Sequence, residues 1–87
     1  MSKPIWSLVD YESIEDMIQI LEFGLTKYDQ DFWKDNYDRT SYLNSMQRHL
    51  AEMFKGNEFD QESGLPHAAH LMARCMFYLH HLRKENQ

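Results

Sequence analysis

Apolar side chains recur every three or four positions in three separate stretches of this chain, and nowhere do they alternate with polar ones. A period near 3.6 residues belongs to α-helices, whereas half-buried strands need a period of two. Valine, a strong strand former, occurs once, at Val9. The expected fold class is therefore all-α: one helical ligand-binding domain over residues 1–87, a small bundle of three main helices with an N-terminal arm, assembling as a homo-oligomer.

The arm, 1–12, reads as extended and carries Ile5, Trp6, Leu8 and Val9. The first helix is expected over 13–28. Ser13 with Asp16 three residues on has capping-box spacing, and Glu12, Glu15 and Asp16 suit the positive end of a helix dipole. Its stripe is Ile14, Met17, Ile18, Leu21, Leu25 and Tyr28, with Gly24 placed for a close helix approach. Residues 29–39 read as a loop with a short helical turn. A second helix over 40–55 carries Leu43, Met46, Leu50, Met53 and Phe54 and stops at Gly56, a residue suited to the left-handed position past a helix end. The third, over 66–84, opens at Pro66 and lines Leu71, Cys75, Tyr78, Leu79 and Leu82 along one face. Cys75 reads as a core filler, and His80 and His81 as solvent-facing.

The net charge of −5 argues against DNA or RNA as partners, since those need a basic surface. A single cysteine excludes an intrachain disulfide, and no apolar run approaches a membrane span, so no membrane partner is expected. Aromatic content of 14% is high for a chain this short, and it fits an aromatic-rich core, a ligand pocket or self-association.

The densest chemistry lies in Asp60-Gln61-Glu62-Ser63-Gly64-Leu65-Pro66-His67-Ala68-Ala69-His70. His67 and His70 are three apart at a helix start, so both imidazoles share a face, near backbone N–H groups free to hold an anion. With His49, Glu52, Asp60 and Glu62 they form a conceivable metal-ligand set. Spacing alone does not establish it, and no metal or cofactor is expected. Magnesium-dependent nucleotide pyrophosphohydrolysis would need two acidic pairs on facing helices. Glu12-x-x-Glu15 is one such pair and no second lies within a helix, so no catalytic residues are assigned. A phosphate-and-base site could draw on Lys27, Arg39, Arg48 and Arg74 for charge and on Tyr11 for stacking. Tyr11, placed in the arm, and Lys27 lie more than about 20 Å apart along one helix, so only two antiparallel copies could bring them to one ligand. Read by spacing, they also fit a staple residue and a dipole-favoured cation.

The runs Lys27-Tyr28 with Trp33-Lys34, Tyr42-Leu43 with Arg48-His49-Leu50, and Asp60-x-Glu62-Ser63-Gly64-Leu65-Pro66-His67-x-x-His70 resemble a phage domain family, the N-terminal domain of dATP/dGTP diphosphohydrolases. Within it, the small size and the arm are similar to the anti-CBASS cyclic-oligonucleotide sponges. That resemblance implies a homohexamer in the cytoplasm of an infected bacterium. It would bind cyclic dinucleotides such as cGAMP between subunits and cyclic trinucleotides at separate sites, without enzymatic activity, to sequester immune second messengers. Tyr11 and Lys27 match the sponge positions for base stacking and phosphate; Tyr28, Arg48, His67, His70 and Arg74 complete the candidate ligand-binding set. The alternative is a metal-dependent dATP/dGTP diphosphohydrolase.

Overall fold

The long helix that follows Pro66 organises the molecule, because every other helix packs against it. A computed structural model describes residues 2–86. After a single 3-10 turn, Trp6–Leu8, come α1 (Tyr11–Gly24), α2 (Phe32–Asp35), α3 (Arg39–Phe54) and α4 (His67–Glu85). Among the described residues there is no strand, only one antiparallel bridge between Phe59 and Pro66. The all-helical reading holds, with a fourth helix of a single turn where a helical turn was expected.

Helix ends follow local chemistry. α1 starts at Tyr11, two residues before the expected start. Asp10 takes the cap position, its carbonyl accepts from the Ile14 N–H at 3.2 Å, and its carboxylate accepts from Ser13 at 2.6 Å. Asp38 and Ser41 repeat this arrangement at α3, also at 2.6 Å. α1 stops at Gly24, four residues early, and tight turns carry the chain on through Tyr28. Nothing lies within 4 Å of where a Gly24 side chain would begin, so Gly24 marks a helix end and not a close helix approach. Gly56 fills its expected role. Its φ is +88°, the Asn57 N–H bonds the Glu52 carbonyl at 2.9 Å, and the Gly56 N–H bonds that of Met53 at 3.0 Å, the paired bonds of a Schellman end.

The faces differ from expectation more than the helices do. The innermost apolar residues are Ile20, Ala69, Ala73 and Phe77, with Met17, Leu21 and Leu65 packed on the first three. Ile20 lies off the expected α1 stripe, and Ile18 and Leu25 are exposed. On α4 the inward face is His67, Ala69, His70, Ala73, Phe77 and His81. Cys75, Leu79 and Leu82 face out, so Cys75 is not a core filler and His81 is not solvent-facing. On α3, His49 is buried while Leu43, Leu50 and Phe54 are exposed. The cause is size and pairing. Alanines let α1 approach α4 closely, and paired imidazoles satisfy one another inside, leaving the leucines for the outer surface. His81 stacks on Tyr37 at 3.9 Å and its Nε2 meets the Trp33 carbonyl at 3.1 Å. Trp33 in turn stacks on Phe77 at 4.5 Å, which fastens α2 to α4.

Candidate functional site

A closed loop between α3 and α4 sets the site. The Asp60 N–H donates to the Leu65 carbonyl at 2.9 Å, the Gly64 N–H to the Asp60 carbonyl at 2.7 Å, and the His67 N–H to the Glu58 carbonyl at 2.9 Å. Gly64 has φ +72°, a left-handed value that favours glycine. The reversal turns the Asp60 carboxylate back under the start of α4. Its Oδ2 accepts from the Ser63 N–H at 2.9 Å and lies 3.0 Å from the Ser63 hydroxyl. Burial pushes the Asp60 carboxyl up, and the Ser63 bonds with the charges of His70 and His49 outweigh it, holding the carboxyl below its ordinary value.

Three histidines meet this carboxylate. His49 Nδ1 from α3 lies 2.8 Å from His67 Nδ1 on the first turn of α4. Ligand atoms of His49, His67 and Asp60 all fall within 4.8 Å of one another. The His70 ring stacks on His49 at 4.6 Å, nearly parallel, and its Nε2 lies 2.8 Å from the Ser63 hydroxyl. An ionised carboxylate only accepts, so the Ser63 hydroxyl donates to Asp60 and His70 Nε2–H donates to Ser63. That fixes the tautomer and leaves the buried His70 Nδ1 as a bare, unpartnered acceptor. Burial, then the positive charges of His70, Arg48, His67 and Arg74, lower the His49 pKa to about 4. Burial lowers His70 as well, against the pull of Asp60. His49 and His70 are thus neutral near pH 7.

His49, Asp60 and His70 form part of the wall of a cavity of about 750 Å³, a size that admits a nucleotide. Lys27, Arg48 and Arg74 line it, as do Tyr28, Phe32 and Trp33. Tyr28 and Phe32 stack at 4.5 Å. Arg74 donates to the Ser45 hydroxyl at 3.2 Å, and its burial lowers its pKa. Lys27 pairs with Glu62 and stands over the Phe23 ring.

Five of the seven sequence-derived candidates, Lys27, Tyr28, Arg48, His70 and Arg74, therefore line one cavity within a single chain. His67 joins the imidazole pair beside it. Tyr11 stands apart. It is the first residue of α1 and not part of the arm, it is exposed, and its hydroxyl lies 3.4 Å from the Trp6 carbonyl. His49 and Asp60, read from the sequence only as conceivable metal ligands and not assigned to the site, belong to it, and Ser63, given no role from the sequence, joins them. The available signal was Asp60-x-x-Ser63, an Asx-type pairing that fixes a carboxylate.

The family described as dATP/dGTP diphosphohydrolase, N-terminal, matches residues 1–87. A protein of Salmonella phage PMBT28 named dATP/dGTP diphosphohydrolase is 35% identical over 71 residues, 82% of this chain and 24% of that protein. The chain thus spans about a quarter of the relative it matches. No solved structure matches. These findings correct the expectation of a non-enzymatic domain, since family and relative are both named for an enzyme. The cluster a metal could use, His49, Asp60 and His67, is part of the conceivable ligand set read from the sequence, but no acidic-pair pattern marks it, because its members come from α3, the 57–66 loop and α4. The chain belongs to the dATP/dGTP diphosphohydrolase N-terminal family.

Proposed function

We propose that this domain binds a purine deoxynucleoside triphosphate in the cavity between α1, α2, α3 and α4 and takes part in its hydrolysis to the deoxynucleoside monophosphate and pyrophosphate. One observation carries the reading: cations, stacking aromatics and a buried imidazole–carboxylate cluster converge on a single cavity of nucleotide size. The name of the Salmonella phage relative supports the substrate class. Arg74, held by Ser45, and Arg48 supply charge-assisted bonds to phosphate oxygens. Tyr28 and Phe32 offer a ring surface for the base. Neutral His49 and His70 and the ionised Asp60 offer lone pairs that can take a proton from an attacking water or hold a cation beside it. In the overall step water adds its oxygen to the α-phosphorus, the α–β bridging P–O bond breaks, and pyrophosphate leaves with the electron pair.

The test is incubation of the full chain with dATP or dGTP and a panel of divalent cations, followed by chromatography. Release of pyrophosphate and dAMP or dGMP, abolished by Arg74→Met, is the expected result. A chain that releases no pyrophosphate, and that instead retains a cyclic dinucleotide and gives it back intact on denaturation, overturns the proposal.

A further inference from the structure

The geometry points to a transition-metal site of the zinc type at His49, Asp60 and His67, with its open side toward the cavity. Two Nδ1 atoms only 2.8 Å apart must either share one proton or share one cation. The three ligands come from separate elements, α3, the 57–66 loop and the start of α4, and each is fixed from behind by its own structure. Asp60 is held by the Ser63 N–H and hydroxyl. His67 is held by its N–H to Glu58, and His49 by the parallel His70 ring. Such backing orients metal ligands and excludes alternatives.

Tetrahedral coordination with Zn–N bonds of about 2.0–2.1 Å places two nitrogens about 3.3 Å apart. The imidazoles need to part by only about half an ångström to reach it. Three protein ligands leave a fourth position for water or a phosphate oxygen, the pattern of catalytic rather than structural zinc. His49 and Asp60 line the cavity, so that position opens where the triphosphate would lie. Two imidazole nitrogens and one carboxylate suit zinc, cobalt or nickel, whereas magnesium prefers an all-oxygen shell. His70 Nδ1, buried and unpartnered beside this cluster, adds a bare lone pair that no protein group satisfies. Metal also answers a charge problem. Asp29, Asp31, Asp60 and Glu62 line the same cavity as the cations, and a bridging dication lets phosphate approach carboxylates.

For the ion's role in hydrolysis this inference rests on the proposed function, while its binding is measured apart from turnover. Full chain stripped with a chelator is titrated with Zn²⁺, Co²⁺ and Mg²⁺ by calorimetry, and Co²⁺ binding is followed by visible absorption. One Zn²⁺ or Co²⁺ per chain, an intense tetrahedral Co²⁺ spectrum and no Mg²⁺ heat are expected. Asp60→Asn keeps the acceptor for Ser63 and should weaken binding by more than about 100-fold, beyond the roughly 10- to 100-fold that loss of an outer-sphere partner costs. His67→Gln should do the same, and His80→Gln should change nothing. A folded wild-type chain that binds no Zn²⁺, or Zn²⁺ binding indifferent to Asp60→Asn and His67→Gln, overturns the site. Zinc bound as expected without pyrophosphate release would leave the site standing and refute the hydrolase reading alone.

Discussion

Mild acid should loosen this fold through His49. The residue is 3% exposed, and its imidazole pKa falls to about 4, first through burial and then through the charges of His70, Arg48, His67 and Arg74. In the unfolded chain the ring returns to about 6.5. Between these values the unfolded state holds a proton that the folded state does not. Stability therefore rises with pH across that window: no penalty applies above about 6.5, and the full penalty is reached below about 4. At roughly 1.36 kcal/mol per pKa unit the shift amounts to about 3 kcal/mol. Water in the adjoining cavity screens the group, so roughly 1–2 kcal/mol is the expected loss. His70 acts in the same direction. A domain of 87 residues has roughly 4–13 kcal/mol in total, so the loss is measurable. Asp60, on Ser63, enters only when the pH falls further. Urea denaturation followed by circular dichroism, with chelator present, between about pH 7.5 and 4.5 isolates the histidine effect. His49→Asn, which keeps an amide near the Nδ1 position, should flatten most of the slope. Stability that is constant or rises toward acid, or a His49→Asn slope equal to wild type, would refute the argument.

Three further outcomes follow from the packing. Ile20→Ala removes the most deeply buried of the large side chains packed with Ala69 and Ala73 and should cost about 2–4 kcal/mol in urea denaturation; a cost below about 1 kcal/mol would mean that α1 is not seated there. Gly64→Ala forces a side chain into φ +72° and should cost about 1–2 kcal/mol, with open space around the added methyl; an unchanged midpoint would show that the loop adopts another turn. Arg74→Met keeps an apolar side chain at the position and removes the guanidinium that stands over Phe77, so calorimetry should show dGTP binding weakened by about 10- to 100-fold with little change in melting; equal affinity would remove Arg74 from the phosphate site.

The helices could be read from the chain because periodicity depends on spacing, and spacing survives even when the wrong face is chosen. Gly56 was equally readable, since only its φ of +88° completes the end of α3. The faces were not readable, because apolarity scales rank histidine as an outward residue. Here His49, His67, His70 and His81 are the buried polar residues, each answered by a ring, a carbonyl or a hydroxyl contributed by another part of the chain. Such partners lie up to 48 positions away and leave no local trace. Lys27, Arg48 and Arg74 could be picked out as cations near aromatic or helix-end positions. That they share one cavity follows from α1 and α3 both lying on α4, which no spacing rule reports. Tyr11, expected in the arm, is instead the first residue of α1, because Asp10 and not Ser13 takes the cap position, a choice that capping-box spacing alone does not decide.

An interior face of imidazole and alanine has a thermal consequence. Unfolding a leucine-centred bundle exposes hydrocarbon, which raises heat capacity, whereas exposing polar rings lowers it. In this chain the leucines of α3 and α4 that would supply the hydrocarbon are largely outside already. The heat-capacity increment of melting should therefore fall below the usual figure of about 12–15 cal/mol/K per residue. Its free energy of folding should trace a broad, shallow arc with temperature, changing little on cooling and giving way to heat only gradually.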